Sequence, residues 1–118
     1  MISNSRFNNN PYVFYKENNR KWTRVSITNI LFIDSNGKFN SRIVLNDSQV
    51  IESQYSLLKI LSSLPVRFER VNKTSIVNMD SVAHIDVMKK TIFLQNNQQL
   101  KFGLTYYDNI KKYLVGKN

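Results

Sequence analysis

Ile30-Leu31-Phe32-Ile33-Asp34-Ser35-Asn36-Gly37 is the stretch whose reading decides how this chain folds. The apolar run Ile30 to Ile33 is the longest in the chain. It is too short to cross a bilayer and has the length of a strand buried on both faces. Asn36-Gly37 follows as a strong hairpin signal, because both residues tolerate positive φ. Beyond it, Arg42 to Leu45 and Gln49 to Ser53 read as two strands around the turn Asn46-Asp47-Ser48. Upstream, Tyr12 to Tyr15 reads as a strand and Glu17-Asn18-Asn19-Arg20 as a polar turn. Trp22 to Ile27 alternates, which puts Val25 and Ile27 on one face. The Asn- and Ser-rich start predicts a flexible arm over residues 1–11, with one domain over 12–118.

Downstream the pattern changes once. Leu57, Ile60, Leu61 and Leu64 fall at i, i+3, i+4 and i+7, a single helical stripe. Ser53 or Ser56 is placed to cap it and Pro65 to stop it. Strands resume at Ser75 to Met79 and Ser81 to Met88, where Ala83, Ile85 and Val87 share a face. Lys89-Lys90 turns the chain into Thr91 to Gln95, and Asn96-Asn97 turns it into Leu100 to Leu104. Thr105-x-x-Asp108 has capping-box spacing for a last helix carrying Tyr106, Ile110, Tyr113 and Leu114, with Gly116 at its end. The expected class is mostly β, short antiparallel sheets with two short helices.

The chain has 118 residues, enough for one domain with its own core. It contains no cysteine and a single histidine, His84, so disulfides and thiolate metal sites are excluded and a zinc centre is not expected. Asp34-x-Asn36-Gly37 resembles the start of a calcium loop, but its Gly comes too early and no closing Glu follows. The eight carboxylates are scattered and three glycines do not make a phosphate loop. Neither a catalytic constellation nor a cofactor site can be assembled.

Charge is more informative. Lys and Arg outnumber Asp and Glu 17 to 8, giving a net charge of +9. Such a field attracts polyanions, and neutralised phosphates release counterions. A membrane surface would call for a basic amphipathic helix or a tight Lys/Arg cluster, and neither occurs. No secretory leader is visible at the start, which fits a cytoplasmic protein. Trp22 and Phe68 are expected in the core, as are most aromatics, since alternation points them inward.

Phe68-Glu69-Arg70-Val71-Asn72-Lys73-Thr74-Ser75-Ile76-Val77-Asn78 resembles the signature of the LytTR family. That signature runs Phe, any residue, Arg, a hydrophobic residue, His, Arg or Asn, Ser, Tyr, a hydrophobic residue, Val, Asn. The flanks agree. Ile30 to Asp34 is similar to the family's early strand, Leu57 to Pro65 to its short helix, and Val82 to Ile85 to the strand after the signature. The likeness runs from about Val13 to Leu114.

The resemblance implies an elongated arrangement of short antiparallel sheets and a role in bacterial transcription regulation. It also implies recognition of double-stranded DNA by loops in the major groove. By position, the contact regions are Lys38, Phe39 and Asn40; Asn72, Lys73 and Thr74; and Gly103, Leu104 and Thr105. Arg70 is implied as a phosphate or structural contact. The chain departs from the pattern at Asn72, Lys73, Thr74 and Ser75, which stand where the family has His, Arg or Asn, Ser and Tyr. Lys is a point charge and lacks the two-pronged grip of Arg on guanine, so the sequence preference implied is weaker. Family members use direct repeats roughly two helical turns apart, which implies two copies on one face of the duplex, a dimer formed on DNA. Many carry a signal-receiving domain. The residues before Val13 are too few for one, leaving a stand-alone regulator, a partner in trans or an excised fragment.

Asn72 has a second reading as a turn-closing side chain, and Thr105 as a helix cap. Two other functions compete. A single-stranded nucleic-acid binder would expose Phe and Tyr on one sheet face. A basic protein-interaction module would show no salt-dependent affinity for DNA.

Overall fold

The computed structural model describes residues 10–17 and 20–115. Among the described residues, ten strands and two short helices follow one another. They are β1 (Tyr12–Lys16), β2 (Trp22–Ser26), β3 (Ile30–Ser35), β4 (Ser41–Leu45), β5 (Val50–Ser53), α1 (Leu57–Leu61), β6 (Phe68–Asn72), β7 (Ser75–Asn78), β8 (Val82–Asp86), β9 (Thr91–Leu94), β10 (Gln99–Lys101) and α2 (Tyr107–Lys111). All sheet pairings are antiparallel. The central sheet has the order β5-β4-β3-β7-β6, flanked by the hairpin β1-β2 and the sheet β10-β9-β8.

The run Ile30 to Ile33 is buried throughout, because the central sheet is covered on both faces. Ile30 and Ile33 enter one core with Tyr15, Val25, Ile43, Ile60 and Phe68. Leu31 and Phe32 enter the other with Val44, Val77, Ile92, Phe102 and Ile110. A register shift between Ile30 and Phe32 turns two successive side chains to the same side. Each such fully buried side chain contributes about 1.5–3 kcal/mol. The first core lies under the β1-β2 hairpin and α1; the second lies under the three-stranded sheet and α2.

The hairpin after β3 is longer than a two-residue turn. Gly37 takes φ +87°, and Asn36 N–H donates to Asn40 C=O at 2.8 Å, which closes the loop. Ser56, not Ser53, caps α1 by accepting from Lys59 N–H at 3.2 Å. The helix ends before Pro65. The Ser62 hydroxyl donates to the Lys59 carbonyl at 2.7 Å, and the Ser63 hydroxyl adds a bond at 2.6 Å to the Ile60 carbonyl, which also accepts from Ser63 N–H. Leu64 is still buried, beyond the helix itself.

Several expectations are corrected. Phe68–Asn72 is a full strand at the edge of the central sheet, where only Ser75 onward is expected. In β8 a register shift between Val82 and His84 breaks the alternation. Val82 and Ile85 therefore pack on the second core, while Ala83 and Val87 are exposed. Leu104 leaves the β10 alternation and is also exposed. Thr105 caps nothing. The chain enters α2 through a 3₁₀ turn, Leu104–Tyr106, whose N-cap is Gly103, and the N-cap of α2 is Tyr106; neither cap has a side-chain bond.

Phe68 is fully buried, but Trp22 is 53 % exposed, and Tyr12 and Phe14 join it outside. The hairpin covers the core with Val13, Tyr15 and Val25, so the other alternation of both strands faces solvent. Residues 1–9 of the expected arm lie outside the described residues, as does Gly116. Pro11 C=O accepts from Ile27 N–H at 2.9 Å. Among the described residues no helix is long and apolar enough to cross a membrane.

Candidate nucleic-acid interface

Antiparallel pairing brings the three loop segments to one end of the central sheet. Asp34 of β3 lies opposite Ser75 of β7, so the β3-β4 loop and the β6-β7 turn emerge side by side. Ser35 N–H donates to Thr74 C=O at 2.8 Å, tying the first loop to the second. The third segment is tied to the second by two bonds. Gly103 N–H donates to Val71 C=O at 2.8 Å, and Asn72 Nδ2 donates to Lys101 C=O at 2.6 Å. Lys38 to Asn40, Asn72 to Thr74 and Gly103 to Thr105 thus form one continuous edge.

Roles within that edge divide clearly. The Asn72 side chain is fully engaged: besides its bond to Lys101, its Oδ1 accepts from Thr74 N–H at 2.8 Å and from Thr74 Oγ1 at 3.0 Å. It closes the signature turn, the second of the two roles its sequence position offers. Arg70 braces the same turn. Its Nη2 donates to Lys73 C=O at 2.6 Å and its guanidinium lies 5.8 Å from the centre of the Tyr106 ring. Asn109 Nδ2 in turn donates to Arg70 C=O at 2.8 Å, linking α2 to β6. Lys73, between them, is exposed, and no hydrogen bond or ion pair engages its ammonium group among the described residues.

The first loop projects Lys38, Phe39 and Asn40 into solvent. Phe39 is 69 % exposed and Lys38 Nζ lies 5.6 Å from its ring centre. In the third segment, Leu104 is equally exposed and Thr105 projects beside it. Between the second and third segments lies an open cleft of about 430 Å³ lined by Asn72, Lys73, Thr74, Lys101, Thr105 and Tyr106, among others.

The fold adds cations that the sequence leaves dispersed. Thr91 of β9 lies opposite both Asp86 and Lys101, so the β8-β9 turn sits at the same end. Phe102 N–H donates to Lys90 C=O at 3.0 Å, and Lys101 Nζ donates to Lys89 C=O at 3.1 Å. Lys89, Lys90 and Lys101 therefore gather beside Gly103 to Thr105. Asp34, a carboxylate at the end of β3, pairs with Arg42 at 3.2 Å. Lysines concentrated along one edge create the positive potential that phosphates seek.

The second helix is held by a buried acid. Glu69 is 4 % exposed, accepts from Tyr113 Oη at 2.7 Å and pairs with Lys112 Nζ at 3.0 Å. That anchor fixes α2, and with it the third segment, against β6. The lone histidine takes part in none of this: His84 is exposed and stacks on Phe93, ring centres 4.2 Å apart.

Comparison with known proteins agrees with this architecture. No curated protein sequence matches the chain. Among solved structures, the LytTr DNA-binding domain of a Bacillus cereus protein described as a methyl-accepting/DNA response regulator superposes with a TM-score of 0.73. The match covers 90 % of this chain and 98 % of that one, at 19 % identity, and shows a shared fold. The model of the LytTr DNA-binding domain matches residues 20–115, most of the chain, and on that ground the chain belongs to the LytTr DNA-binding domain family.

Proposed function

We propose that this domain binds double-stranded DNA in a transcription regulator through the edge formed by its three loop segments. The observation that carries the reading is the exposed Lys73 at the centre of that edge, whose ammonium group has no partner among the described residues, braced from below by Asn72 and Arg70. Lys73, Lys38 and the Lys89-Lys90 turn take phosphates and set the register. Asn40 and Thr105 reach base edges, and the exposed Phe39 and Leu104 offer apolar contact to thymine methyl groups. Asn72, Thr74 and Arg70 hold the reading loop in shape. Two copies engage direct repeats on one face of the duplex, as a cytoplasmic regulator acting alone or with a signalling domain.

The test is fluorescence anisotropy on duplexes selected for tight binding, titrated with salt, for wild type and Lys73→Ala. The reading expects log K to fall steeply with log salt, one sequence class to win, and Lys73→Ala to lower the slope by about 0.9 and blunt the preference. Absence of duplex binding, or identical salt slopes for the two proteins, overturns it.

A second reading has one observation in its favour. Tyr12, Phe14 and Trp22 are exposed on the solvent face of β1-β2, and Arg24 lies 5.0 Å from the Tyr12 ring centre, which is what a base-stacking platform for single strands needs. Competition decides: an unlabelled single strand displacing the protein better than the matching duplex favours this alternative.

A further inference from the structure

Past the Lys38–Asn40 loop, away from the signature turn, four side chains form a row that the duplex-binding reading leaves unused. Lys16 Nζ lies 5.9 Å from the Trp22 ring centre, and the Trp22 and Tyr55 ring centres are 6.4 Å apart. Lys59 Nζ lies 6.0 Å from the Tyr55 ring centre. The order is cation, aromatic, aromatic, cation. Neither ammonium pairs with a carboxylate among the described residues. Lys59 and Trp22 are exposed, Lys16 and Tyr55 half-buried.

The row is attached to the same sheet end. Ser41, the residue after Asn40, donates its hydroxyl to Tyr55 C=O at 2.6 Å. Ser41 also lies opposite Ser53, the last residue of β5. Gln54 N–H then donates to Lys16 C=O at 2.9 Å, and Lys16 lies opposite Trp22. Along that end the order is therefore β6-β7 turn, β3-β4 loop, end of β5, then this row. At about 4.8 Å per strand, the row continues the edge by roughly 5–10 Å beyond the first loop. That is two or three further steps of about 3.4 Å along a DNA strand.

Its chemistry suits backbone and not bases. Amines standing over ring faces have little freedom to lose on binding. Tyr55 Oη and Trp22 Nε1–H add donors of the kind that contact phosphate oxygens. We propose that Lys16, Trp22, Tyr55 and Lys59 form a fourth contact, gripping phosphates of the duplex that flanks the segment read by the Lys38–Asn40 loop. The proposal rests on the duplex-binding reading. Its own consequence is a one-sided dependence of affinity on flanking DNA.

Trp22 is the only tryptophan in the chain, so its emission reports this contact directly. Two readouts are taken together, duplex anisotropy and Trp22 emission. Wild type and the Lys16→Ala/Lys59→Ala double variant are titrated with a core duplex and with duplexes extended on either flank. The expected result is that one extension, and only one, tightens binding and changes Trp22 emission. The double variant keeps the affinity for the core duplex and loses the gain from the extension. Its salt slope on the extended duplex falls by about 1.8, so the wild-type advantage shrinks roughly tenfold between 50 and 200 mM salt. Lys16→Gln/Lys59→Gln, which keeps the stems packed on the rings, is expected to behave the same way. Duplex binding with unchanged Trp22 emission and no effect of either pair of substitutions overturns this inference alone. No anisotropy change with any duplex overturns it together with the reading it rests on.

Discussion

Replacing Asn72 with Ala separates bracing from reading. The substitution removes three hydrogen bonds, to Lys101 C=O at 2.6 Å, from Thr74 N–H at 2.8 Å and from Thr74 Oγ1 at 3.0 Å. All three lie in a solvent-exposed part of the turn, so water replaces the lost partners and each bond contributes only about 0.5 kcal/mol net, at the low end of the usual range. Two effects add to this: the turn is no longer closed locally, and the β10 end is released from β6. The expected cost is about 1–2 kcal/mol, a fall in Tm of roughly 4–10 °C for a chain of this size. Urea unfolding followed by circular dichroism measures it, with anisotropy on the selected duplex run in parallel. Asn72→Asp is the companion variant, because a carboxylate still accepts from Thr74 but cannot donate to Lys101 C=O. It is expected to recover part of the stability while weakening DNA binding through its charge. A result in which Asn72→Ala melts like wild type yet loses DNA affinity refutes the reasoning, because the side chain would then read the duplex instead of shaping the turn.

Other outcomes follow from the same contacts. Lys73→Ala, at an exposed site whose side chain has no partner among the described residues, is expected to change unfolding free energy by no more than about 0.5 kcal/mol, so its effect on DNA is separable from folding; equilibrium urea melts check this. Asn78 is 1 % exposed, donates from Nδ2 to Ile30 C=O at 2.9 Å and accepts from Asp80 N–H at 3.0 Å. Asn78→Ala strands a buried carbonyl and is expected to cost about 2–4 kcal/mol by urea unfolding, well above the cost at Asn72. Tyr15 is buried, no hydrogen bond of normal geometry reaches its hydroxyl, and burial pushes its pKa up to about 12, with nearby Ser63 pulling slightly the other way. The folded value exceeds the unfolded one near 10, so the associated stability is complete below pH 10 and is lost as pH rises through 12. Two units correspond to about 3 kcal/mol. Tyr15→Phe is expected to match or exceed wild-type stability at pH 7 and to remove that part of the alkaline loss; parallel alkaline melts of both proteins with the same slope contradict it.

Much of the fold was legible locally. Ile30 to Ile33 announces a strand buried on both faces, and Gly37, Ser48, Lys90 and Asn97, all in turn-forming stretches of the sequence, take positive φ. The helix stripe at Leu57 was visible from its spacing, and Ser56 was one of its two candidate caps. Phe68–Asn72 was not visible as a strand, because Glu69 and Arg70 interrupt any apolar alternation. They are accommodated only because Tyr113 and Lys112 meet the acid and Tyr106 and the Lys73 carbonyl meet the guanidinium. Alternation misplaces Trp22 for the opposite reason. Alternation along a strand says which residues share a face but not which face is covered, and Val13, Tyr15 and Val25 already cover the core. In β8 the shift at Val82–His84 replaced a two-residue period with a three-residue step that no pattern reveals.

What the sequence by itself determined is therefore local: strands, turns, a basic charge of +9, and the signature that points to a DNA-binding family. Each of these depends on residues within a few positions of one another or on a simple sum. The neighbours of each loop were decided by the tertiary structure alone. Lys38 and Lys73 are far apart in the chain and reach one edge because β3 pairs with β7. Lys89 and Lys90 join them because β9 lies between β8 and β10. Lys16 and Lys59 align beyond them through Gln54 and Tyr55. A binding surface is a property of sheet order, and sheet order is set by burial of two cores from distant segments, a cooperative outcome that no single stretch encodes.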